Sequence, residues 1–202
     1  MTTTAPADVG RADRVAILLI LAVGAFGGAF IAGLGIISAV LRLIDPARYP
    51  VTLLADIPIE AVPGIVQAHG DSIVVNADGL STGTVWALAG GDFFLALTIG
   101  CVTFCFAYVL WRVAQRRPFH RTTQVAALVA GCAIALGSIL SQGIGGLGQM
   151  MAASDLSAAL GDVTSPGFLF APLPIVLGFA IMALAYVFRA GERLQRDTEG
   201  LV

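Results

Sequence analysis

Long uninterrupted apolar runs alternate with polar connections along this chain. Four runs, residues 15–41, 93–111, 125–147 and 168–188, contain no charged side chain. A bilayer core of about 30 Å is crossed by roughly 20 apolar residues in a helix, because every backbone polar group must then bond within the segment. The pattern predicts an all-α membrane protein, a four-transmembrane-helix bundle forming one membrane domain over residues 1–202. As a straight helix the first run would reach about 40 Å, so it is expected to tilt or to project beyond the hydrocarbon. Arg11 and Arg14 precede it, as they would in a signal peptide, but a signal core runs to only about 15 residues. The reading is therefore a retained helix.

Local signals place the helix ends. Asp92 is expected to open the second helix and Thr122 or Thr123 the third, each a residue type that caps orphan N–H groups. Pro118 is expected to stop the second helix, and Pro172 and Pro174 fall in the first turns of the fourth, where a missing donor matters least. Between the first two runs lies a β-leaning loop, residues 45–91. Residues 49–57, 72–75 and 81–86 favour strands, and Asn76-Ala77-Asp78-Gly79 reads as a hairpin turn between the last two. This predicts a strand pair or three-stranded patch, with Trp86 as an interfacial anchor and His69 in the breaker region marked by Pro58 and Pro63. The glycines at 143, 145, 146 and 148 predict a flexible stretch, followed by a short surface helix over 154–160 capped by Ser154 or Asp155.

Composition agrees with the pattern. Hydrophobic residues make up 57% of the 202 and charged ones 12%, against roughly 45–50% and 25% in soluble domains, and mean hydropathy is +0.90. Such a balance leaves no separate soluble catalytic domain. Net charge is −2 and there is no lysine, which argues against direct nucleic-acid binding. Nine arginines fall on the N-terminal segment, the second connection and the tail; the first connection holds only Arg42 and Arg48 and the third holds none. By the positive-inside rule both termini are expected in the cytoplasm of a bacterium, the chain being multi-pass in the inner membrane, with 45–91 exported and 189–202 a cytoplasmic tail.

Candidate chemistry is sparse. No charged residue lies within the four runs, which disfavours ion-coupled transport. Cys101 and Cys105 share a helical face and Cys132 could approach them, but no histidine or carboxylate completes a metal set; apolar packing is the better account. His69 has no partner ligand nearby. No catalytic, cofactor or metal residue is assigned, and the protein is read as a non-enzyme. Arg112, Arg116, Arg117 and Arg121, with His120, form one basic patch, and Arg189, Arg193 and Arg196 another. Anionic lipid headgroups or a partner protein are expected there, and the acidic tail could fold back onto the first patch. Gly24, Gly28 and Gly33 allow close helix approach, either within the chain or in a homo-oligomer.

Two segments carry a resemblance. Arg117-Pro118-Phe119 before the third helix, and the closing stretch from Gly191 to Val202 with Asp197, Glu199 and the final Leu201-Val202, resemble small four-helix bacterial membrane proteins known as a domain of unknown function. That family has a serine or threonine after the Pro-Phe pair, where this chain has His120. The resemblance implies the same four-helix plan and, as a partner, a small helix-turn-helix regulator bound at the cytoplasmic turn and tail. The sequence thus leads to a scaffold or regulatory, sensing protein acting through its exported loop and arginine-rich face. The alternative is an oligomeric transport or channel component in which Ser138, Ser141 and Gln142 line a path.

Overall fold

The computed structural model describes residues 9–58, 69–115, 121–160 and 164–199. In chain order they form α1 (Val9–Ile44), a 3-10 turn (Pro46–Arg48), β1 (Val51–Pro58), β2 (His69–Val75), α2 (Thr82–Ala114), α3 (Arg121–Asp155), the single turn α4 (Ser157–Leu160) and α5 (Leu173–Glu199). Helices α1, α2 and α3 are each long and apolar enough to cross a membrane. The described apolar stretch of α5, Leu173–Val187, is shorter. It begins after the expected start of the fourth span because Pro172 and Pro174 admit a helix only from their own position onward; residues 168–172 are not helical.

Several expected boundaries are corrected. Residues 81–86 do not form a third strand: from Thr82 onward they are the first turns of α2, and Trp86 sits on that helix. Asp92 consequently lies inside α2 instead of opening it. The glycines at 143, 145, 146 and 148 are helical within α3, not a flexible stretch. His69 opens β2, paired with Pro58. Arg116, Arg117, Pro118, His120, Pro63 and residues 200–202 lie outside the described residues.

The long helices carry their residues in an inverted pattern. Buried positions are small, among them Ala32, Ala39, Ala96, Ala127, Ala130, Ala135 and Ala185, whereas Phe26 is 77% exposed, Phe104 73% and Leu136 62%. In water large side chains would be drawn inside. Here small residues let helix backbones meet, the packing that operates when the surroundings are as apolar as the side chains.

The fold divides into two compact units, to which α1, α2 and α3 each contribute. The first takes its described residues from Met1–Ala32, Thr98–Leu136 and Leu173–Val202. In it α3 and α5 approach where a Cβ on Gly178 would lie 2.7 Å from the Ala135 nitrogen and 2.8 Å from the Gly131 oxygen. The second unit comprises Gly33–Leu97 and Gly137–Pro172. There α2 and α3 meet at Gly91, whose Cβ would stand 2.6 Å from the Gly145 Cα, and at Gly148, whose Cβ would stand 2.8 Å from Leu88.

The second unit also contains an ordinary hydrophobic core. Strands β1 and β2 pair antiparallel from Val51 with Val75 to Pro58 with His69, with an irregularity between Leu54 and Ile57. Alternation turns Val51 and Leu53 inward and leaves Thr52 exposed. Those two side chains pack with Leu88 of α2 and Ala152 and Ala153 of α3, with Ile73, Val75 and Leu80 around them. The other edge of β1 is met by an Ala55–Thr164 bridge and a 3.1 Å bond from the Ser165 N–H to the Leu54 carbonyl.

Candidate functional site

At one end of the first unit α2 and α3 are tied by an arginine. Arg112, in the last turn of α2, donates from Nε to the Tyr108 hydroxyl at 3.0 Å and from its terminal nitrogen to Thr122 Oγ1 of α3 at 3.4 Å. Its guanidinium lies 5.5 Å from the Tyr108 ring centre and 5.9 Å from that of Trp111, a cation–π arrangement. A cation here also suits the negative end of the α2 dipole. Arg121 and Arg189 are exposed. The side chains at 193 and 196, like Arg116 and Arg117, lie outside what is described. The expected capping by Thr122 and Thr123 takes another form: α3 begins at Arg121, Thr122 accepts from Arg112, and the fully buried Thr123 hydroxyl has no partner among the described residues.

Two polar constellations in the second unit escaped the sequence reading. Arg42, near the end of α1, donates from Nε to Asp92 Oδ2 of α2 at 2.9 Å, its side chain only 12% exposed. It also reaches the Pro50 carbonyl at 3.5 Å and covers the Tyr49 ring at 5.6 Å. An arginine and a carboxylate held this way satisfy one another where either alone would be poorly tolerated. In sequence Asp92 looked like a cap because the apolar run starts beside it.

The second constellation joins the start of α2 to the end of α3, beyond the apolar stretch of that helix. Asp155 Oδ2 accepts from the Thr84 hydroxyl at 2.6 Å and from the Ser81 N–H at 2.9 Å, while Ser81 Oγ accepts from the Thr84 N–H. Ser81 is thereby the cap of α2, a role its place before a helical small-residue pattern could have signalled. The Thr84 hydrogen bond first, and those from Ser81 after it, hold the Asp155 carboxyl below its ordinary range. Asp155 thus serves α2 and not the short α4.

Helical glycines and interior polar groups are likewise placed. A Cβ on Gly24 would meet Phe106, and one on Gly28 would collide with Thr103, both on α2; one on Gly33 would meet nothing. Gly35, which faces Ala96, went unnoticed although it extends a small-residue spacing of three and four with Gly28, Ala32 and Ala39. Ser141 donates to the Ser138 carbonyl at 3.3 Å. The Gln142 amide accepts from the Ala171 N–H at 2.7 Å and donates to its carbonyl at 3.1 Å. That bond pair satisfies non-helical backbone just before α5. Cys101, Cys105 and Cys132 are free thiols, and Cys132 lies 3.4 Å from the Met182 sulfur. Among the described residues no three His, Cys, Asp or Glu side chains group as a metal site.

In comparison with known proteins, the chain matches no family model, no curated protein and no solved structure.

Proposed function

We propose that this is a multi-pass protein of a bacterial inner membrane, with both termini cytoplasmic, acting as a non-enzymatic scaffold or regulator. The observation that carries the reading is the contrast between two kinds of packing. Along the long helices large apolar side chains face outward over buried alanines, whereas Val51, Leu53 and Leu88 close a water-type core around the sheet. Helices α2 and α3 have 33 and 35 residues, about 50 Å each, some 20 Å more than a bilayer core needs. The surplus is at the ends that hold the sheet. It carries the sheet as an exported module, and the arginine-rich segments form a cytoplasmic face.

That face would contact anionic lipid headgroups and, as the family resemblance implies, a small helix-turn-helix regulator; self-association through small-residue faces is compatible with it. The test is crosslinking in native membranes followed by isolation of the tagged chain, with and without residues 189–202. A helix-turn-helix protein should be recovered with the full chain and be lost with the truncation. Recovery of no such protein with the full chain would overturn the partner assignment.

A further inference from the structure

The first unit contains an open groove of about 490 Å³ between α2 and α3, within the roughly 300–1,000 Å³ typical of ligand sites. Phe104, Val125 and Val129 wall its length, and Tyr108, Arg121 and Thr122 stand at one end. From Arg121 to Val129 it follows about 12 Å of helix. Its lining is almost wholly apolar, and the exposed Arg121 stands beside one end of it. No acidic residue occurs anywhere between Asp92 and Asp155, while Arg112, Arg116, Arg117 and Arg121 all fall there. Arg112 is turned to Tyr108 and Thr122. Arg121 is exposed and has no hydrogen bond or ion pair among the described residues.

We infer that this groove is a binding site for one anionic phospholipid, an acyl chain lying along Phe104, Val125 and Val129 and the phosphate held at Arg121. The inference rests on the membrane reading above and goes beyond it by assigning a defined site. Charge complementarity selects the occupant: an acyl chain alone would leave the arginine unmatched, and a free phosphate would leave the apolar walls unfilled. Basic pockets between transmembrane helices on the cytoplasmic side have this chemistry. A neutral lipid would fill the walls without answering the charge.

The full chain is reconstituted in vesicles of phosphatidylcholine and phosphatidylglycerol in equal parts, re-extracted, and its retained lipids counted by native mass spectrometry. The wild type should retain one phosphatidylglycerol in preference to phosphatidylcholine. Arg121→Gln should lower that preference about five-fold, the weight of one arginine near an anionic surface. Val125→Trp, at a half-exposed wall position, should remove the retained lipid, and Arg48→Gln, exposed on the first connection and outside the groove, should leave it unchanged. Equal retention of the two lipids by the wild type overturns the inference, as does an Arg48→Gln effect equal to that of Arg121→Gln. A chain that enters the vesicles but shows no preference defeats this site alone; a chain that does not enter them defeats the membrane reading as well.

Discussion

Asp155 ties the end of α3 to the start of α2 through one oxygen, accepting from Thr84 Oγ1 and the Ser81 N–H, with Ser81 in turn capping α2. Because the Thr84 hydrogen bond holds its carboxyl below the ordinary aspartate range, the folded state takes up a proton later than the unfolded chain as pH falls. The stabilisation is therefore fully present above the unfolded value and disappears as pH drops through the folded one. Thermal unfolding of the second unit, followed by Trp86 fluorescence in a Trp111→Phe background, should weaken below about pH 4. Asp155→Asn should flatten that dependence and lower the midpoint at neutral pH; an unchanged profile would show that the carboxylate carries no weight. The tie to Asp155 was not legible locally, since residues 81 and 155 are distant in sequence, and the β-leaning composition of Ser81-Thr82-Gly83-Thr84-Val85-Trp86 masked the cap.

Among elements, the existence of the helices was readable and their ends were not. An apolar run marks where a helix can be buried in lipid, but α2 and α3 continue well past theirs because each buries its extension against the other and against the sheet. The same pairing converts the glycines of α3 from an expected flexible stretch into a contact face. Close approach at such faces leads to an expected outcome for α5. Gly178→Leu, which would drive a side chain into the backbone of Gly131 and Ala135, should destabilise the protein by about 1–3 kcal/mol or more. Gly27→Leu, where a Cβ would meet nothing, should show no such loss. Denaturant unfolding in detergent measures both, and equal effects would remove the close crossing from the account.

For the whole molecule the proposed reading makes a prediction about which end faces which compartment. The topology proposed above, favoured by the arginine distribution, puts residues 45–81 on the exported side and the end of α5 in the cytoplasm. In spheroplasts a membrane-impermeant maleimide should label Asp78→Cys, on an exposed turn, from outside. Gln195→Cys should be labelled only after lysis. The opposite pattern would reverse the topology and move the lipid groove to the other leaflet.

What the sequence determined by itself was the long apolar character of α1, α2 and α3, the strand-forming character of part of the first connection, and the clustering of arginine. These follow from local composition, because the demand for internal backbone hydrogen bonding in lipid acts on each segment separately. Tertiary structure alone decided that β1 pairs with β2, that Thr82–Trp86 is helical, that Arg42 answers Asp92, and that Gln142 satisfies Ala171. Each of those joins groups far apart along the chain, and a sequence pattern shows what a residue requires without showing which distant residue supplies it.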